Sequence, residues 1–337
     1  MDLQSAVNST DITYVARNFT GRSMTNQTVN VVPKQIGNYR ILEEVGVGGL
    51  GRVFRGLDLR SGKTVAIKVL HDKYQKNRKF LGIFHRELLI MSSLNHKHIV
   101  SYLDSFFDPP NCYIVTEFIE GWSGHLFLKH VRRVPPLVAL AITIDMLQGI
   151  DHLHLHDVVH SDLSAANFLI DKTGRVLVTD FGLSCKLEVE DYKNYMIGTP
   201  GYYSPEHVSE NAIVPQTDIY NAGLLLYEMI TGQKAVPAIT DRHKLLLCMK
   251  SIKFDIIRCD DRRMEAMLKK LLKAALQFQP SKRPQSADVM MFACYEILKR
   301  YNIRYARHAI KKFLIDRGMT RGPFDGNDQP IYIGMAG

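Results

Sequence analysis

A run of glycines and a scattered set of charged residues are the parts of this chain most suited to chemistry on a phosphate. Gly46-Val47-Gly48-Gly49-Leu50-Gly51-Arg52-Val53 has the form G-x-G-x-x-G-x-V. Glycines at this spacing let the backbone approach a phosphate without an intervening Cβ, and amide N–H groups can then face the anion. The run lies between two strand-like segments, whereas a dinucleotide fingerprint needs a strand followed by a helix, so the context disfavours a Rossmann domain. Alone, it reads equally well as a Gly-rich hairpin without a ligand. Behind it come Val65-Ala66-Ile67-Lys68, Glu87, His160-Ser161-Asp162, Asn167 five residues beyond that aspartate, and Asp180-Phe181-Gly182. A lone strand lysine is usually solvated and a lone turn carboxylate usually inert, so the weight rests on joint order and spacing. His152, His154, His156 and His160 raise the question of a metal, since His152 and His156 share a helix face. A metal site usually needs a third ligand backed by a carboxylate, which disfavours one here.

Such residues act only if the chain brings them together. Tyr39–Val45, Arg52–Arg60 and Thr64–Leu70 are short β-branched runs separated by Gly46–Gly51 and by Ser61-Gly62-Lys63, and they predict three antiparallel strands. Phe80–Leu94 has helical apolar spacing at Leu81, Phe84, Leu88 and Met91, and Ile99–Phe106 and Tyr113–Ile119 are strand-like. After Gly121 the periodicity turns helical, with Leu137–His156 the longest segment. Asp218–Thr231, Arg262–Leu276 and Ala287–Tyr301 follow, and Phe168–Ile170 and Val176–Val178 are short strand-like interruptions. A sheet-rich part followed by a helical part predicts an α+β molecule with a cleft at the junction, where ligands tend to bind.

With these motifs in this order, the chain resembles the protein kinase family from about Tyr39 to Tyr301. Gly198-Thr199-Pro200-Gly201-Tyr202-Tyr203-Ser204-Pro205-Glu206, Asp218 through Gly223, and Arg283-Pro284 extend the match. The wording from Asp218 to Gly232, with Tyr220 where many eukaryotic members carry Trp, looks like the bacterial Ser/Thr kinases. The resemblance implies a two-lobed fold, with an antiparallel-sheet N-lobe over 38–118 and a helical C-lobe over 121–302. It also implies transfer of the γ-phosphate of ATP, with Mg²⁺, to Ser or Thr hydroxyls of proteins, this chain likewise. By the same resemblance Lys68 holds the α- and β-phosphates and is oriented by Glu87, Asp180 and Asn167 ligate Mg²⁺, and Asp162 orients the incoming hydroxyl. Gly46, Val47, Gly48, Gly49 and Gly51 would cover the phosphates. Adenine would lie between Val53 and Ala66 above and Leu169 below, with Thr116 behind it and Glu117 to Ile119 offering backbone hydrogen bonds. His160, Phe181, Met91 and Leu103 would stack as an internal spine, and Glu206 would pair with Arg283.

Three departures bear on activity. Ser161 stands where many members have Arg, which leaves less charge to balance and predicts activity without activation-segment phosphate, although Ser184, Tyr192, Tyr195 and Thr199 could accept one. Ser164 stands where Ser/Thr kinases usually place Lys, a loss worth about 2.7–4 kcal/mol of transition-state stabilisation by analogy with other electrostatic donors. Asp162-Leu163-Ser164-Ala165-Ala166-Asn167 is closer to tyrosine-kinase wording, yet Gly198 to Tyr203 is of the Ser/Thr type and would floor the acceptor pocket. Glu120 to His125 reads as a longer connection than usual after the hinge, with Ser123 and His125 both open as ribose contacts. The alternatives are a pseudokinase-type nucleotide-binding scaffold, a tyrosine or dual-specificity kinase and, less favoured, a small-molecule kinase. Presence of the whole set Lys68, Glu87, Asp162, Asn167 and Asp180 favours a protein kinase.

Composition agrees with such a reading without choosing it. The 337 residues are 46% hydrophobic and 23% charged, enough for a packed core, and the formal net charge of +9 points to anionic partners. ATP satisfies that charge, and no finger spacing or aromatic-basic platform suggests specific nucleic-acid binding. Five dispersed cysteines without a Cys-x-x-Cys pair and an N-terminus without signal-peptide pattern predict a cytoplasmic location. The apolar stretches near Leu137–Ile144 and Ala222–Tyr227 are short of a membrane span. Residues 1–37 read as a polar flexible tail. The stretch 303–337 reads as a basic amphipathic helix, Ile303–Arg317, with a flexible end. That helix packs on the C-lobe in the plainer reading, and touches an acidic membrane weakly in the other.

Overall fold

Val65 and Ile67 alternate with outward residues along Thr64–Leu70, so one strand face is apolar and must be covered. They meet Tyr39 and Val115 in a small core inside the first sheet. The structure is a computed structural model that describes residues 34–108, 111–186 and 198–320. Most of the polar N-terminal stretch, Tyr192, Tyr195 and the end from residue 321 lie outside the described residues.

The larger sheet contains β1 (Gln35–Ile36), β2 (Tyr39–Val47), β3 (Gly51–Asp58), β4 (Thr64–Leu70), β5 (Tyr102–Asp108) and β6 (Asn111–Glu117), in the order β1-β2-β3-β4-β6-β5. Its pairs are antiparallel. β1 pairs with Tyr39 and Arg40 through a turn at Gly37, so the sheet begins inside the stretch read as tail. Helix α1 (Arg78–Ser93) starts where the Asn77 side chain accepts the Lys79 N–H. Its buried face is Ile83, Phe84, Glu87, Ile90 and Met91, a spacing of three and four that sets one carboxylate among apolar neighbours.

The strand expected from Ile99 starts only at Tyr102. The backbone before it is engaged elsewhere: β10 (Val176–Val178) gives its Val178 N–H to the His98 carbonyl at 2.8 Å and accepts from Val100 N at 3.1 Å. Leu103, expected in the spine, is 51% exposed, because a register shift between Tyr102 and Asp104 breaks the alternation there.

The second lobe opens with β7 (Gly121–Ser123), which pairs with β9 (Phe168–Asp171), itself paired with β10. β8 (Val158–Val159) pairs with β11 (Cys185–Lys186). Residues 121–123 are strand and α2 (Gly124–Val131) follows at once, so the stretch after the hinge carries regular structure. The helices are α3 (Pro136–His154), α4 (Pro205–Glu210), α5 (Pro215–Thr231), α6 (Arg242–Lys250), α7 (Arg262–Ala275), α8 (Ala287–Arg300) and α9 (Ala306–Asp316). α3 is the hub, packed on α5, α8, α9 and β10. It is long and apolar enough to cross a membrane, but 72% of it is buried inside the fold, as a core helix must be. The apolar residues Ala306, Ile310, Phe313 and Leu314 of α9 are buried, leaving Arg307, Lys311 and Lys312 exposed. Beyond it the Met319 carbonyl accepts the Trp122 indole N–H at 3.0 Å.

Candidate active site

β4 carries Lys68 inward opposite Val53 and Ile114, and α1 carries Glu87 to meet it. Lys68 Nζ lies 2.6 and 2.7 Å from the two Glu87 oxygens and 3.0 Å from Asp180 Oδ1, so one cation joins a carboxylate from each lobe. Burial opposes charge on the amine, but Asp180 and Glu87 outweigh it and hold the Lys68 pKa above its ordinary value. Burial likewise works against Asp180, where Lys68 wins and keeps the carboxyl below the usual range. Glu87 is pushed up by burial, with Lys68 opposing. Asp180 has φ +64°, a left-handed conformation that Asp tolerates better than most residues. A Cβ on Gly182 would come 3.3 Å from Asp180 Oδ1 and 3.4 Å from Glu87 Oε2.

The loop bearing Asp162 is held from below by Asp218, fully buried on α5. Its carboxylate accepts the N–H groups of His160 at 2.9 Å and Ser161 at 2.8 Å, and His154 Nε2 lies 2.8 Å from it. Ser161 adopts φ +63° and donates its hydroxyl to the Leu183 carbonyl at 2.7 Å. Asp162 Oδ1 accepts the Thr199 N–H at 2.7 Å, while Asn167 Nδ2 donates to Asp162 Oδ2 at 3.0 Å and to its carbonyl at 2.8 Å. Burial pushes the Asp162 carboxyl up to about 7 against those hydrogen bonds. Asn167 Oδ1 is buried and accepts no hydrogen bond. Ser164 is fully buried and its Oγ accepts from Thr199 Oγ1 at 3.4 Å.

The cleft between the lobes holds a cavity of about 100 Å³ and is lined by Val53, Ala66, Lys68, Glu87, Thr116, Glu117, Ile119, Asn167, Leu169 and Asp180 among the expected residues. Val45, Met91, Thr179 and Ser123 line it too. Asp162 and the glycines 46, 48, 49 and 51 do not line it, and neither does Val47. The glycine run forms the end of the β2–β3 hairpin, where Gly46 faces Val53 and the Gly48 N–H reaches Gly51 O at 2.8 Å. At Gly51 a Cβ would come 2.3 Å from the Val69 carbonyl, so β4 alone requires glycine there. Ser123 accepts the Leu126 N–H at 3.4 Å as the α2 cap, and His125 does not line this cleft. The Glu117 side chain turns to Ser101, at 2.8 Å, and Arg175, at 3.2 Å.

His160 and Phe181 pack with their ring centroids 5.4 Å apart and their planes tilted by 56°. Glu206 and Arg283 form the expected buried pair, at 2.7 and 2.8 Å. Among the described residues no cluster of three or more His, Cys, Asp or Glu side chains could hold a metal, and His152 instead stacks on His96 at 4.9 Å. Two anchors escaped the sequence reading: Asp218 as the clamp of the catalytic loop and the Thr199 amide on Asp162. The signal available for the first was an acid in the first turn of a largely apolar helix.

The site thus joins two lobes through one cation, with a buried carboxylate loop beside the cleft. The protein kinase domain family matches residues 39–293, and the chain belongs to the protein kinase family. It is similar to the serine/threonine-protein kinase PrkC of Bacillus subtilis (strain 168), 34% identical over 199 residues, 58% of this chain and 31% of that protein. The probable serine/threonine-protein kinase PknB of Lactococcus lactis is 35% identical over 198 residues, 58% of this chain and 32% of that one. The serine/threonine-protein kinase fray1 of Dictyostelium discoideum is 27% identical over 282 residues, 82% of this chain and 49% of its own. The chain thus spans about a third to a half of the length of these relatives.

Proposed function

We propose that residues 38–302 transfer the γ-phosphate of ATP to Ser and Thr hydroxyls of proteins, this chain among them. The observation that carries it is the Lys68 amine paired with Glu87 and Asp180 across the lobes, with Asp162 held by Thr199 and Asn167 on the adjoining loop. Phosphoryl transfer needs positioning and charge neutralisation more than covalent chemistry. Lys68 supplies a positive charge for the phosphates, and Glu87 fixes its reach. Asp162, with the Thr199 N–H on one oxygen and Asn167 on the other, points its remaining lone pairs at an acceptor hydroxyl and takes its proton.

Asn167 Oδ1, buried without a partner, and the Asp180 carboxylate form a set of hard oxygen donors that fits Mg²⁺. Magnesium bound there supplies charge neutralisation to the phosphate oxygens. The scaffold reading is weaker, because the complete set is present and paired. Thr199, which joins Asp162 and Ser164, supports a Ser/Thr rather than Tyr acceptor. Ser161 brings no charge beside Asp162, so the domain acts without activation-segment phosphate. Free thiols at Cys248, Cys259 and Cys294 support a cytoplasmic location.

The test is phosphoamino-acid analysis of a generic protein labelled by phosphatase-treated enzyme. Phosphoserine and phosphothreonine are expected. Predominant phosphotyrosine overturns the acceptor class, and no label before autophosphorylation overturns independence from the activation segment.

A further inference from the structure

A second cavity opens beside the acceptor site. Thr199 and Pro200 form one wall, Ala165 and Ala166 of the Asp162 loop another, and α2 with the end of α5 closes the rest. Thr199 is the residue whose amide holds Asp162, so whatever fills this cavity lies next to the reacting hydroxyl. The two alanines are small and uncharged, and Ser164 between Leu163 and Ala165 is buried on Thr199, so the loop itself contributes no charge to the cavity.

The charge in the lining comes from elsewhere and is mostly positive. Lys129, Arg132 and Lys234 bring three cations, with His125 nearby, against a single carboxylate, Glu228. That carboxylate is already engaged, because it accepts the Tyr202 hydroxyl. Lys234 is held in place by the Pro200 carbonyl at 3.1 Å and lies 4.4 Å over the Tyr202 ring. Lys129 and Arg132 are exposed, and neither makes a side-chain hydrogen bond or ion pair among the described residues. Arg132 stands in a backbone conformation that an L residue rarely adopts, φ +59° and ψ −49°. Its N–H bonds Leu128 O at 2.8 Å, and a Cβ at Gly232 would come 2.7 Å from its carbonyl, so the surroundings enforce that conformation. Backbone held in a sparsely populated region marks a position where side-chain placement matters.

We infer that this cavity selects protein substrates carrying acidic side chains, carboxylate or phosphorylated, beside the acceptor Ser or Thr, with Lys129, Arg132 and Lys234 as the specificity-determining residues. The inference rests on the kinase reading and adds the substrate class to it. Exposed pairs are individually weak, but three cations converging on one cavity make a usable sum, and one that salt screens.

The experiment compares peptides that share one Ser acceptor and differ only in flanking residues: neutral, Glu, phosphoserine or Lys, placed on either side. An acidic peptide should show kcat/KM about tenfold above its basic counterpart at low salt, from about three weak pairs, with the gap closing at high salt. The comparison of Glu with phosphoserine assigns the source of the negative charge. Lys129→Gln with Arg132→Gln should bring the acidic-to-basic ratio toward one, and Lys129→Glu with Arg132→Glu should invert it. The ratio is internal to each variant, so misfolding cannot produce that graded order. Equal rates for acidic and basic peptides, or a ratio unmoved by charge reversal, overturn the inference while leaving the kinase reading intact. Transfer to no peptide, with acidic peptides still bound more tightly in fluorescence anisotropy, overturns the kinase reading and keeps the charge preference.

Discussion

Asp145 on α3 and His98 in the loop before β5 are 3.6 Å apart and nearly buried. At that distance they share no hydrogen bond, and burial drives each toward its neutral form, Asp145 up to about 7 and His98 down to about 4. The contact is therefore not a salt bridge at neutral pH. His98 Nδ1 has a partner in the Val176 carbonyl at 2.8 Å, but Asp145 Oδ2 has none. The folded carboxyl keeps its proton up to about 7 while the unfolded one loses it near the ordinary aspartate value of 3.8, so stability from this group is present at low pH and lost as pH rises between them. Asp145→Asn should raise stability at pH 8 by about 1–3 kcal/mol and change it little at pH 4, as measured by thermal melting. A larger gain at pH 4 than at pH 8 would sink this account. His98 titrates in both proteins and cancels from the comparison. Lys68, Glu87, Asp162, Asn167 and Asp180 were legible in the sequence because their order and spacing are themselves the signal. Asp145 and Asp218 were not, since what they do depends on neighbours distant in the chain.

Element boundaries followed local chemistry where caps mark them. Asn77, Ser123, Ser204, Asp241, Asp261 and Ser286 each accept a backbone N–H at a helix start. The short helices α2, α4 and α6 carried caps but too few turns for periodicity to reveal them. Leu103 and the late start of β5 went astray because tertiary pairing with β10 and a register shift override alternation. The docking of α9 depends on a glycine that sequence could only mark as a turn. Gly174 has φ +81°, and a Cβ there would come 2.7 Å from Lys311 N and 2.9 Å from Arg307 O. Gly174→Ala should therefore cost about 1–3 kcal/mol through strain and displacement of α9. Hydrogen–deuterium exchange should accelerate over residues 306–316 more than in α5. Unchanged exchange there would mean that α9 is not clamped by this contact.

At the scale of the molecule, ties between the lobes include the Lys68 bridge to Asp180, the Arg175 pair with Glu117 and the pairing of the His98–Val100 backbone with Val178. The C-lobe is pinned separately by Glu206 and Arg283, whose charges satisfy each other out of water; a buried pair of this kind is costly to break singly. The division into a sheet lobe and a helical lobe was readable from the change of period after Gly121. The path of the chain between them was not, because a strand as short as β7 leaves no pattern. The excess of positive charge gains a place as well, partly in the cavity lined by Lys129, Arg132 and Lys234. The central claim is that the bridged lobes form a working phosphotransferase. It is tested most directly by incorporation of γ-labelled phosphate from Mg·ATP into a generic protein substrate, for wild type, Lys68→Met and Asp162→Asn side by side. Wild type should label the substrate, and each variant should fall at least about 100-fold, the scale of losing one electrostatic or proton-transfer group. Wild-type protein that binds ATP and transfers nothing, or variants that transfer as well as wild type, would contradict the account.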